Sequence, residues 1–361
     1  MTSHLFVDIS SHGFGHLAQV APILNELSHR RPGVRLTVRS GLPLEKLLSR
    51  IQCDFTHRSG RSDFGFVMLD AVRIDLAATA AAYRAQHANW EQRVAAEAGL
   101  LRRIKPDLVL TDVAYLPLAA AAQAGIPSLS MCSLNWADLF AHFFGHQPWA
   151  KPIHNEMLAA YCAADCFLRL TPAMPMSDLA RTRSIAPVAA IGHDRRDALL
   201  AQLSCPPGKK LVLVAFGGFT KDLSAERWPR MEGVHYLVPQ SWAISRDDMT
   251  ATEPLDLPFT DLLRSVDAVL TKPGYGTFTE AACNGTAVVF MRRDDWPEQD
   301  CLIEWLTLNA RCLEISEAAL MSGDWSAALD ELWQQSLPAR PRLDGVCEAA
   351  NLLVELLDQA K

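Results

Sequence analysis

Two imidazoles stand four residues apart in the segment Ser10-Ser11-His12-Gly13-Phe14-Gly15-His16, directly after a short apolar run. Neutral histidine titrates close to the pH at which most reactions run, so His12 or His16 can serve as a general base. Gly13 and Gly15 let a ligand come close to the backbone, and the amides of a following helix would point at it. The structural alternative is a histidine that caps the helix or bonds to backbone. Asp112 closes the run PDLVLTD. A carboxylate there could hold an imidazole in one tautomer and stabilise its positive charge, or it could be the N-cap of the next helix; the two roles can coexist.

A second group lies in the other half of the chain. Thr271-Lys272-Pro273-Gly274-Tyr275-Gly276-Thr277 combines flexible glycines, a cation, hydroxyls and a helix start, which are the parts of a diphosphate cradle. The spacing is neither GxxxxGKS/T nor GxGxxG. Glu280 reads as the end of a Thr-x-x-Glu capping box begun by Thr277, or as an acceptor for ribose hydroxyls. The run MRRDDWPEQD over 291–300 holds Glu298 and Gln299, whose carboxylate and amide suit the vicinal hydroxyls of a sugar; a solvated loop with acids at a helix start is the plainer alternative. Gly217-Gly218 is a weaker signal, because any tight strand-to-helix turn uses glycine.

The elements that must position these residues follow from periodicity. Residues 4–9 form a β-rich apolar run, and Leu17, Val20, Leu24 and Leu27 recur at helical spacing after it. Residues 34–38 predict a second strand, so the chain opens as a βαβ unit with a parallel sheet. An Ala-rich helical stretch over 75–104 stops at Pro106, residues 107–111 predict a buried strand, and the unit repeats over 115–125. A second series predicts strands over 211–216, 234–238, 266–271 and 287–290, a helix over 276–284 and a closing amphipathic helix over 345–357. In such sheets ligands bind beyond the carboxyl ends of strands, which selects the loops 10–16, 111–115, 216–221 and 271–277.

The chain has 361 residues, enough for two domains and a cleft between them. A formal charge of −7 provides no broad positive field, so nucleic acid is not an expected partner. Nine scattered cysteines make no short-spaced disulfide framework and fit reduced thiols in a cytoplasm. The first residues have no signal-peptide pattern, no run of about 18 apolar residues predicts a membrane span, and no clustered His/Asp metal site is visible.

These segments together resemble the GT-B glycosyltransferases, a class that includes the peptidoglycan lipid-intermediate N-acetylglucosaminyltransferase and the UDP-glucuronosyl and plant UDP-glucosyl transferases. The resemblance covers nearly the whole chain and rests on SHGFGH, PDLVLTD, FGG, and KPGYGTFTEAACNGTAVVF followed by PEQ. The combination of KPGYGT, EA, NG and RRDDWPEQ is most similar to uncharacterised bacterial glycosyltransferase-like proteins and to the glycosyltransferase-like portion of plant arabinokinases. It implies an α/β fold of two Rossmann-like doubly wound domains: 1–192 for the acceptor, 193–344 for the nucleotide-sugar, and 345–361 as a helix crossing back to the first domain.

By the same resemblance His16 is the catalytic base, with His12 as the other candidate, and Asp112 orients it. Gly217, Gly218, Lys272, Gly274, Tyr275, Gly276 and Thr277 would face the donor diphosphate, Glu280 the ribose, and Glu298 with Gln299 the sugar hydroxyls; Gly13 and Gly15 shape the acceptor loop. This chain has Phe219-Thr220 where the family often carries Ser after the glycines of the second half. The implied activity is inverting, metal-independent transfer from an NDP-sugar, UDP by analogy, with no resident cofactor. A nucleotide-sugar epimerase or hydrolase of the same fold and a non-catalytic nucleotide-sugar-binding protein are the alternatives. The aromatic segment 140–149, FAHFFGHQPW, suits a lipid-linked or aromatic acceptor and a peripheral contact with the inner face of the membrane, although a buried helix and turn explains it as well.

Overall fold

The structure, a computed structural model, describes residues 3–359 apart from 71, 218–222 and 224. The first half is built on strands β1 (His4–Ile9), β2 (Arg35–Ser40), β3 (Thr56–Ser59), β4 (Leu108–Asp112), β5 (Ser128–Cys132), β6 (Cys166–Leu170) and β7 (Thr182–Ile185). They form one sheet in the order β3-β2-β1-β4-β5-β6-β7, and all its pairings are parallel. The second half repeats the plan with β8 (Lys210–Ala215), β9 (Val234–Val238), β10 (Met249–Ala251), β11 (Ala268–Thr271), β12 (Ala287–Phe290) and β13 (Cys312–Glu314), in the order β10-β9-β8-β11-β12-β13 and again parallel.

Strand β1 is buried along its whole length, as a strand covered by helices on both sheet faces must be. The helix Phe14–Arg30 follows it and buries Leu17, Val20, Ile23, Leu24 and Leu27, the stripe that the spacing predicts. In each sheet the strand order reverses direction once, between β1 and β4 and between β8 and β11. A crevice opens at such a point because the following helices leave to opposite faces. The ends of the flanking strands are level: Ile9 lies opposite Asp112, and Ala215 opposite Thr271.

The last helix, Asp344–Gln359, crosses back onto the first half. It buries Ala349, Ala350, Leu353 and Leu357 and meets the helix Phe14–Arg30, where Arg31 pairs with Asp358 at 2.7 Å. Gly345 is required there, since a Cβ would lie 1.9 Å from the Ala186 carbonyl oxygen. The chain connecting the halves runs along the helix Tyr275–Asn284: Val188 N–H donates to the Tyr275 hydroxyl at 2.9 Å, and Asn284 Nδ2 donates to the Ala190 carbonyl at 3.0 Å.

Two features differ from the sequence reading. The stretch over 75–104 is two helices, Leu76–His87 and Trp90–Ile104, broken so that the Trp90 and His87 rings can stack 4.9 Å apart. The sequence reading gives no strand for β3, β5, β6, β7, β10 or β13; the edge strands β3, β7, β10 and β13 have only three or four residues each, too few to show a periodicity. The aromatic segment near 140 is the buried helix Trp136–Phe144. Among the described residues no helix is long and apolar enough to cross a membrane.

Candidate active site

The loop after β1 and the end of β4 meet at the first half's crevice. His16 sits in the first turn of its helix, with Nδ1 2.8 Å from Asp112 Oδ1. Asp112 does not cap the next helix, whose N-cap is Tyr115. Its side chain is fully buried, and Oδ2 has no hydrogen-bond partner among the described residues. Burial alone would lower the His16 pKa, but the Asp112 carboxylate, helped by Asp63 and Glu298, reverses this and leaves it above its ordinary 6.5. Burial raises the Asp112 carboxyl, and His16 opposes that rise.

His12 has a different environment. It packs edge-on to Trp136 at 5.2 Å and stacks on Trp296 of the second half at 5.8 Å, with planes 4° apart. Its Nδ1 faces the Phe66 N–H at 3.4 Å. Burial and the nearby His16, Arg293 and Lys272 push its pKa well below the ordinary range. Gly13 is the N-cap of the helix, in extended backbone. Gly15 lies where the second half comes closest, as a Cβ on Gly276 would be 2.9 Å from Ala18 Cβ and 3.4 Å from Gly15 Cα. Gly276 therefore lets two helix N-termini, one from each half, approach each other, whereas a Cβ on Gly15 would meet no atom within 4 Å.

The second half supplies Lys272 from the loop after β11, just before the helix Tyr275–Asn284. Burial and the neighbouring Arg293 bring its ammonium down to about 7, against the attraction of Glu298. Gly274 is the N-cap, so Thr277 lies inside the helix and starts no capping box. Tyr275 donates to the Thr171 carbonyl at 3.1 Å and accepts from Val188 N–H, tying the halves together. Glu280 is buried and ion-paired with Arg50 of the first half. Burial raises its pKa, and Arg50 opposes this. Gly217 adopts a left-handed φ of +76°, which suits glycine alone at little cost, and Gly218 lies outside the described residues.

Glu298 crosses into the first half. Its Oε1 accepts from the Ser133 hydroxyl at 2.6 Å and its Oε2 from the Trp296 indole N–H at 3.0 Å. Gln299 is used differently, with both ends of its amide closed on the Arg293 backbone at 2.9 and 3.1 Å. It therefore fixes the loop over 293–299.

The sequence reading missed several residues here. Asp63 accepts from the Trp136 indole at 2.7 Å and from Ser10 Oγ at 3.1 Å; burial and Asp8 raise its carboxyl to about 6. Trp136 also packs against His16 at 5.8 Å. Asp63 comes from an irregular segment with no periodicity to mark it, and Trp136 looks like core in any sequence window. Cys132 ends β5 with Sγ 3.9 Å from His16 Nδ1. His16, Asp112 and Cys132 each offer a ligand atom within 4.8 Å of the others, a metal-capable group gathered from three segments that the linear sequence does not show. The Cys132 thiol is pushed well above its usual range by burial and by Asp112 and Glu298, which keeps it protonated near neutral pH.

A cavity of about 240 Å³ opens where Val72 and Arg73 face Met291, Arg292 and Asp294, and none of His16, Asp112 and Cys132 lines it.

No protein-family profile matches the chain. It is 25% identical over 365 residues to L-arabinokinase of Arabidopsis thaliana, an alignment that takes in 97% of the chain and spans about a third (34%) of that protein's length. Among solved structures, a glycotransferase of kitacinnamycin superposes with a TM-score of 0.61 at 17% identity over 99% of this chain and 96% of that one. Phytolacca americana UGT2, complexed with UDP-2fluoro-glucose and pterostilbene, superposes at 0.58 and 15% over 100% and 95%. A UDP-N-acetylglucosamine 2-epimerase superposes at 0.57 and 15% over 99% and 97%. Two parallel sheets with reversal points facing each other and a last helix returning to the first half are, along its full length, the GT-B glycosyltransferase fold.

Proposed function

We propose that the protein is an inverting, metal-independent glycosyltransferase that moves a sugar from a nucleotide-sugar, with UDP as leaving group, to an acceptor hydroxyl. The observation that carries this reading is the His16–Asp112 pair at 2.8 Å, set at the crevice of one sheet, with Glu298 of the other half close enough to act on both groups. The similarity to a glycotransferase of kitacinnamycin supports it, as does the UDP-2fluoro-glucose bound by the Phytolacca protein.

With Nδ1 committed to Asp112, His16 Nε2 is the nitrogen that takes the acceptor's proton. The acceptor oxygen attacks the anomeric carbon from the face opposite the nucleotide. The bond from that carbon to the phosphate oxygen breaks, and the diphosphate leaves with the electron pair. Lys272 and the amides at the start of the helix Tyr275–Asn284 stabilise the departing charge, so the protein itself does the work of a divalent cation. His12, with its depressed pKa and aromatic packing, lines the site without acting as the base.

A thermal-shift screen against UDP, GDP, dTDP, CMP and their sugars tests the donor. The reading predicts a shift with one nucleotide family, weakened in Lys272→Ala and unchanged by EDTA. A donor-independent melting temperature would oppose it. The epimerase structure of the same fold supports a second reading, conversion of the donor sugar without any acceptor, which NMR of the incubated donor detects directly.

A further inference from the structure

Arg293 is a buried charged side chain of the cleft that has no ion-pair partner among the described residues. Among the described residues, two arginines are more than nine-tenths buried, Arg39 and Arg293. Arg39 is matched by two carboxylates, Asp8 and Glu97. Arg293 makes no side-chain hydrogen bond or ion pair with any described residue, and its Nε is buried and unsatisfied. An unpaired guanidinium in such a place is costly, and burial lowers its pKa to about 10.

The side chain is nevertheless held in place. Its guanidinium lies over the Trp296 ring, 3.7 Å from the centroid, and Gln299 closes on its backbone N–H and carbonyl. The face of the fork is covered, which leaves its edge of N–H donors for a ligand. Lys272, His12 and Glu298 all feel its charge, which places it in the cleft. Glu298 does not neutralise it by contact, since its oxygens are taken by Ser133 and Trp296.

A rigid planar fork of donors matches the paired oxygens of a carboxylate or a phosphate, and the donor phosphates have a cation of their own. Lys272 already stands at the helix N-terminus in the adjacent loop. Arg293 shares its own loop with Glu298, which the donor reading sets against the sugar ring. We infer that Arg293 receives the carboxylate of an acidic sugar, so that the donor is a nucleotide-uronate. This rests on the donor reading above and adds the class of sugar.

The test is equilibrium binding of the full chain to matched pairs: UDP-glucose with UDP-glucuronate, UDP-galactose with UDP-galacturonate, GDP-mannose with GDP-mannuronate, and the free diphosphates. The expected result is that one uronate binds at least about tenfold tighter than its neutral partner, the gain of one charge-assisted bidentate contact. Arg293→Met, which keeps the aliphatic stem, should erase that preference and leave the affinity for the free diphosphate unchanged; Arg293→Lys should retain part of it. Circular dichroism and the melting temperature of each variant report whether it is folded. Neutral sugars binding as tightly as uronates would overturn the inference. So would an Arg293→Met variant that loses affinity for the free diphosphate as much as for the uronate, because Arg293 would then be a phosphate ligand. Binding of none of these compounds would remove the donor reading itself, and this inference with it.

Discussion

His16 owes its raised pKa to Asp112, and a base must be neutral to accept a proton, so the rate should fall as pH drops through that raised value. The acid limb of kcat/KM is predicted above pH 6.5, and Asp112→Asn should move it downward while lowering kcat/KM by roughly 10²-fold or more. A pH–rate profile checks both; an unmoved limb would assign the titration to another group. Lys272 gives a second prediction with the opposite sense. With its ammonium at about 7 in the free protein, donor binding above neutrality must draw in a proton, so affinity should weaken as pH rises through 7. Calorimetry in buffers of different ionisation enthalpy measures that uptake, and Lys272→Met should abolish it. At this scale the sequence was informative where a residue ends a strand: His16 and Asp112 stood out because strand ends collect function. Asp63, Ser133 and Arg293 did not, since their importance comes from neighbours distant in the chain, including the Trp136 indole and the Trp296 ring.

The glycines of KPGYGT suggest a phosphate cradle, and the structure gives one of them a packing task. Gly276 sits where the helix Tyr275–Asn284 meets the helix Phe14–Arg30, and a methyl group there would press on Ala18 at 2.9 Å. Gly276→Ala should therefore destabilise the folded chain by about 1–3 kcal/mol, the usual cost of overpacking a tight contact. Adding Ala18→Gly should recover most of it in a denaturant titration; no recovery would place the strain elsewhere. The capping box that Thr277 and Glu280 suggest is absent because the helix begins at Tyr275, three residues earlier than that motif requires. Helices with long apolar stripes were visible in the sequence, whereas β3, β10 and β13 were not, because pairing at a sheet edge needs little local pattern.

The two halves are joined by contacts that no sequence window can contain. Arg50, outside every motif, meets buried Glu280, and removing one partner strands the other charge. Arg50→Ala is predicted to cost roughly 3–5 kcal/mol, and pairing Arg50→Met with Glu280→Gln should return most of that loss. A double-mutant cycle on unfolding decides, and additive losses would show that the pair is not coupled. The two-sheet plan was readable from repeated strand, loop and helix signals, but its closed arrangement, with Glu298 reaching Ser133 and Trp296 stacked on His12, came only with the structure. The most direct test of the whole account is nucleotide diphosphate release and sugar transfer by wild type and His16→Ala, with a nucleotide-sugar panel and a library of hydroxylated acceptors. The account predicts acceptor-dependent release with inversion at the anomeric carbon, reduced roughly 10²–10⁴-fold in His16→Ala while donor affinity stays within a factor of about three. Turnover by His16→Ala at the wild-type rate, or conversion of the donor sugar with no acceptor present, would contradict it.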